Sequence, residues 1–242
     1  MNSLAASQAE RTGSLLLRSA GLLAVVGGLA NAFSDFLLQG GFIPRAAVNT
    51  YEFLPFTPFD LVFLGSIIGN AAIPFWLLGF FPVYVALAPA GSRLALSTVF
   101  FLGYGFSIFP GYHGSYALYA AGFQAHEAAP AGLTETTATL VQRLHDYHDA
   151  LLMVIGVPVM IGSILFVVTV MLGRTLFSRW MILMSPIIVP LTQPFIEMTP
   201  APFGGFVRPA YGTLVFTLFF LIATIVTWNV RPQLTNRNVS GR

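Results

Sequence analysis

Between Asp149 and Arg174 the chain runs for 24 residues, ALLMVIGVPVMIGSILFVVTVMLG, without a charge. A helix of ~20 such residues crosses a hydrocarbon core of about 30 Å, and in lipid only helices and closed barrels satisfy every backbone polar group. Further apolar tracts recur along all 242 residues, and only 8% of the chain is charged. Segments of ~10 residues with period-two alternation, the mark of an outer-membrane barrel, are absent. The sequence therefore predicts an all-α polytopic integral membrane protein, a Pro-kinked bundle forming a single membrane domain over 1–242 without a soluble domain.

Six transmembrane spans are expected, with seven as the alternative count: about 14–39, 60–88, 94–118, 140–172, 178–197 and 209–230. Loops rich in Gly, Pro and Ser separate them. The stretch RSAGLLAVVGGLANAF imitates a signal peptide, but the apolar tract resumes after Asp35, which favours a helix that stays. All eleven basic residues are Arg. With six spans, Arg11, Arg18, Arg93, Arg174, Arg179, Arg231, Arg237 and Arg242 fall on one side, and Arg45, Arg143 and Arg208 on the other. The positive-inside tendency then predicts a cell (inner) membrane protein with both termini cytoplasmic.

Several chemistries drop out. The absence of Cys removes disulfides and thiolate metal sites, and the absence of Lys removes Schiff-base chemistry. No basic run could follow a nucleic-acid backbone. The expected partners are the lipid bilayer and an apolar small molecule, with no nucleic acid.

In that topology all four histidines and every acidic residue except Glu10 gather at the outer side. Polar residues four apart share a helix face, which pairs Asn31 with Asp35, Ser66 with Asn70, His145 with Asp149, and Gln193 with Glu197. Ionisable groups near the membrane interior are costly and are kept for substrate paths, proton relays or catalysis. This points to Asp35, His113, His145, His148, Asp149 and Glu197 as candidate catalytic groups, with Asn31, Asn70, Tyr112, Tyr116 and Gln193 as candidate substrate contacts. Glu52, Asp60, His126 and Glu127 read as interfacial residues reached by water.

The run His145-Asp146-Tyr147-His148-Asp149 admits two readings. His113, His145, His148 and Asp149 form a donor set suited to zinc or iron, although the spacing matches no defined metal fingerprint. The other reading, which the sequence favours, is the solvated start of a helix, with acids at the positive end of its dipole. Pro186, Pro190 and Pro194 follow at every fourth position in the expected fifth span and deprive one face of its backbone bonds. Aromatic residues make up 14% of the chain and could line a pocket for an isoprenoid or acyl chain.

The functional expectation is a membrane-embedded enzyme acting on an apolar or amphiphilic, lipid- or isoprenoid-like substrate through an outer-facing His/Asp/Glu cavity, by metal-assisted or acid/base chemistry. The alternatives are a small transporter or ligand-binding membrane protein, and an accessory subunit of a membrane complex.

Overall fold

A computed structural model describes residues 2–39, 57–200 and 203–230; side chains are described from residue 11 onward, excepting 203, 205 and 206. Glu52, Arg45, Arg231, Arg237 and Arg242 lie outside the described residues. Among the described residues seven α-helices follow in order: α1 (Asn2–Leu38), α2 (Phe59–Leu78), α3 (Phe80–Leu87), α4 (Ser92–Glu127), α5 (Thr134–Met171), α6 (Ile188–Glu197) and α7 (Phe203–Thr227). No strand occurs among the described residues. Among the described residues five helical stretches are long and apolar enough to span a membrane: Arg11–Leu38, Phe59–Ala90, Ser92–Glu127, Ala131–Met171 and Val207–Thr227. The protein is an all-α membrane bundle.

The expected span 178–197 is not one helix. A 3₁₀ stretch, Arg179–Met184, is followed by the ten-residue α6. Proline lacks the amide proton and its ring crowds the carbonyl four residues back, so Pro186, Pro190 and Pro194 prevent a continuous ladder. The same chemistry divides the second span. Pro82 opposes the Leu78 carbonyl, and the helix breaks at Gly79 between α2 and α3. Helices α4 and α5 run further than expected, to Glu127 and back to Thr134, so the loop between them shrinks to a short turn.

Contacts at both ends fix the helix directions. Arg18 Nε donates to the Trp228 carbonyl at 2.8 Å, with the guanidinium 5.0 Å from the centre of the Trp228 ring, tying the middle of α1, near the start of its apolar stretch, to the residue that follows α7. At the opposite end Gln39 Nε2 donates to the Pro209 carbonyl at 3.3 Å, so α1 and α7 are antiparallel. Leu176 N–H donates to the Ala86 carbonyl at 2.9 Å, joining the chain after α5 to the end of α3. The segment 176–199 therefore runs from the Arg18 end of the bundle to the Gln39 end.

Inside the bundle, a cluster of rings from α2, α3, α4 and α7 forms the core. Trp76 is 4.9 Å from Phe106, Phe106 is 4.6 Å from Phe216, and Phe80 is 5.1 Å from Phe220. The Phe106–Phe216 and Phe80–Phe220 planes cross at 86° and 87°, which suits edge-to-face packing, while Trp76 is tilted at 51° to Phe106. On the outside, α5 exposes Leu152, Met153, Val157, Ile161, Ile164 and Val168. That apolar face would be an aggregation site in water and is matched to lipid.

Candidate active site

Three helices meet around Asp35, toward the Gln39 end of the bundle. Thr213 of α7 donates its hydroxyl proton to Asp35 Oδ2 at 2.5 Å, and His113 Nε2 of α4 lies 3.7 Å from Asp35 Oδ1. Asn31, one turn below Asp35 on α1, donates from Nδ2 to Thr213 Oγ1 at 3.4 Å. Because the single Thr213 proton is committed to Asp35, that hydroxyl can only accept from Asn31. The Asn31 amide is thereby oriented with its carbonyl oxygen pointing elsewhere.

The same count fixes the His113 tautomer. Ser34 donates its one proton to the Gly65 carbonyl at 2.7 Å, so it accepts from His113 Nδ1 at 3.4 Å. With hydrogen on Nδ1, a neutral imidazole would turn the bare Nε2 lone pair toward a carboxylate. Two acceptors facing each other repel, and the pair is favourable only with a proton between them. A proton on either group relieves that repulsion and leaves the pair neutral, which makes Asp35 and His113 a candidate one-proton unit, although their 3.7 Å separation exceeds a direct hydrogen bond. Gly69 of α2 makes the approach possible: a Cβ there would lie 2.7 Å from Ser34 Oγ and 2.9 Å from His113 Cε1.

A second Ser–His pair repeats this arrangement. Ser115 donates to the Tyr112 carbonyl at 2.6 Å and accepts from His148 Nδ1 at 2.6 Å. Tyr112 stacks on the His148 ring at 4.3 Å, Tyr116 meets it edge-on at 4.5 Å, and the two phenol oxygens are 3.1 Å apart. In both pairs the serine proton goes to a backbone carbonyl rather than to the imidazole. An activated serine nucleophile needs the opposite orientation, so neither serine is poised for acyl transfer.

The expected residues are therefore partly assembled. Asp35, His113 and Asn31 share one network, and Tyr112, Tyr116 and His148 a second beside it. His145 and Asp149 pair with each other at 3.6 Å at the rim, with Asp149 half exposed. Gln193 and Glu197 bond to each other at 3.2 Å on exposed α6. Asp146 is exposed and held by Gln142, and His126 bonds Thr137 at the α4–α5 turn, as interfacial residues do. The expected metal donors His113, His145, His148 and Asp149 are divided among these pairs, and the described residues contain no group of three His, Asp or Glu side chains that could hold a metal ion.

Sequence reasoning omitted Ser34, Thr213 and Ser115, which orient the acid and both imidazoles. Small hydroxyl residues are common in membrane helices, where they bond their own carbonyls cheaply, so their type carries little signal. Only Ser34, adjacent to Asp35, could have been suspected.

An apolar groove of about 460 Å³, open at the exposed face of α5 where Leu152, Met153 and Val157 lie, runs beside the site, lined chiefly by α5, the Pro186–Pro190 segment, Phe109 of α4 and Phe216 of α7. On three helices a wall residue sits one turn from a polar residue of the networks: Phe109 from His113, Leu152 from His148, and Phe216 from Thr213. One helical turn is about 5.4 Å.

Residues 1–229 match the family of unknown function DUF6796. The chain belongs to the DUF6796 family. No curated protein and no solved structure matches this DUF6796 chain.

Proposed function

We propose that this DUF6796 protein is a multi-pass cell-membrane enzyme that transforms an apolar or amphiphilic, lipid- or isoprenoid-like substrate by acid/base chemistry at Asp35 and His113. The carrying observation is the placement of Phe109, Leu152 and Phe216, cavity walls one turn from His113, His148 and Thr213. A substrate body in the cavity would bring its polar end to the one-proton unit. The size falls within the roughly 300–1,000 Å³ usual for small-molecule sites.

The Asp35–His113 unit holds one mobile proton while Thr213 and Ser34 fix the far side of each partner. Such a unit can protonate a substrate and take a proton back at a later step, which suits a rearrangement, isomerisation or hydrolysis. Fixed donors and a dry surrounding keep the geometry set before the substrate arrives. In the proposed orientation the Arg18 end faces the cytoplasm, the segment 176–199 completes a sixth crossing, and the site opens toward the outer leaflet.

The test incubates purified protein in nanodiscs with a total lipid extract and follows the lipids by mass spectrometry. Wild type is expected to consume a species that Asp35→Asn and Gly156→Phe leave untouched. Gly156 lines the cavity, and nothing lies within 4 Å of a Cβ added there, so Phe fills the space without striking the core. Identical lipid profiles from all three proteins refute the enzyme reading. Retention of a lipid by wild type without turnover makes the protein a carrier or binding subunit instead.

A further inference from the structure

Two buried amide oxygens around the site, Asn31 Oδ1 and Asn70 Oδ1, have no hydrogen-bond partner among the described residues, and neither has the Ser66 hydroxyl, which can donate or accept. Asn31 is fully buried and Ser66 is 3% exposed. Such groups carry a desolvation penalty unless something satisfies them. The Asn31 orientation is not arbitrary, because Thr213 can only accept from its amide nitrogen. On α2, Ser66, Gly69 and Asn70 share a face by their spacing, and Gly69 lies directly against His113 and Ser34. Asn70 is also beside Gly114, the neighbour of His113 on α4.

From this we infer that the site recognises its ligand as a hydrogen-bond donor, and that the ligand is a neutral amphiphile with a hydroxyl head and an apolar tail in the cavity. The inference rests on the proposed function and adds the chemistry of the head. Acceptors that lack a donor select a group that brings one. The charge inventory selects against ions. Asp35 and His113 together are neutral, and Asn31, Ser66, Asn70 and Thr213 carry no charge, so a buried ammonium or phosphate head would find no counter-ion. The arginines on these helices do not supply one. Arg11, Arg18 and Arg93 belong to the opposite end, Arg143 is exposed, and Arg208, whose buried Nε has no partner among the described residues, is held at the Thr199 carbonyl, about 7.5 Å along α7 from Thr213.

The experiment measures the thermal midpoint of the protein in nanodiscs loaded, at equal mole fraction, with dodecanol, dodecylamine, dodecyl phosphate or dodecane. A ligand that binds the folded state raises the midpoint by mass action. Dodecanol is expected to give the largest rise, with an apparent affinity about tenfold above that of dodecane, the factor expected for about 1.4 kcal/mol of hydrogen bonding. Asn31→Leu and, independently, Ser66→Ala should bring dodecanol down toward dodecane. Either variant suffices if the other fails to fold. A larger response to the phosphate or the amine overturns the hydroxyl assignment, as do equal responses to all four that Gly156→Phe abolishes; the latter leaves the cavity reading standing. No response to any probe, with Gly156→Phe equal to wild type, overturns both.

Discussion

The Thr213–Asp35 contact offers the sharpest test of the site, because it joins α7 to α1 and orients both Asp35 and Asn31. Thr213→Val keeps the shape and deletes the hydroxyl. Hydrogen bonds to charged groups contribute about 1.5–3 kcal/mol in soluble proteins, but membrane double-mutant cycles average about 0.6 with a maximum near 1.7. A 2.5 Å bond between two groups held on different helices belongs near that maximum, so the expected Thr213–Asp35 coupling is about 1.5 kcal/mol. The single variant should lose about 0.5 kcal/mol more, since the longer 3.4 Å Asn31 bond goes with it. The assay is reversible unfolding in mixed micelles, followed by far-UV circular dichroism, on wild type, Thr213→Val, Asp35→Leu and the double variant. A coupling below about 0.3 kcal/mol, the usual error of additivity, would refute the contact as the organiser of the site.

Nitrogen-edited NMR of histidine-labelled protein should show hydrogen on Nδ1 of both His113 and His148; an Nε2–H tautomer at His148 would contradict the serine proton count. Gly69→Ala should destabilise the bundle by about 1–3 kcal/mol and abolish turnover, because the new methyl collides with Ser34 and His113; unchanged unfolding would show that the helices part easily there. Glu197→Gln should leave ligand binding and turnover as in wild type, since among the described residues Glu197 bonds Gln193 alone, on an exposed helix face; loss of activity would restore Glu197 to the site. Gly91 sits at φ 129° in the turn before α4, so Gly91→Ala should cost about 1 kcal/mol in the same unfolding assay, and a neutral result would argue against that backbone conformation.

The membrane class and most spans were legible because apolar length is a direct signal. Where the reading failed, proline decided. The tract 178–197 has the hydropathy of a span, yet three prolines at four-residue spacing leave a 3₁₀ turn and a ten-residue helix. Pairing by spacing found Asn31 with Asp35, whose partners both lie on the interior side of α1. It could not separate His148 from Asp149, because adjacent positions are about 100° apart on a helix of 3.6 residues per turn. The first is buried against Ser115, and the second turns outward to His145. Thr213 was invisible for a different reason: its role depends on α7 returning antiparallel beside α1, information that no local pattern holds.

The broken segment before α7 also bears on how the protein is made. Inside lipid each unpaired carbonyl is heavily penalised, and the Pro186–Pro194 stretch cannot close its own ladder. Within the stretch Thr192 donates to the Ile188 carbonyl at 2.6 Å, and its remaining supports come from the next helix. Tyr211 donates to Thr192 at 2.5 Å, Val189 packs at Gly212, and α6 rests on α7. In the proposed topology, residues 179–197 and α7 must leave the insertion machinery as a hairpin, and a chain stopped before Phe203 would end with its last crossing stranded outside the membrane.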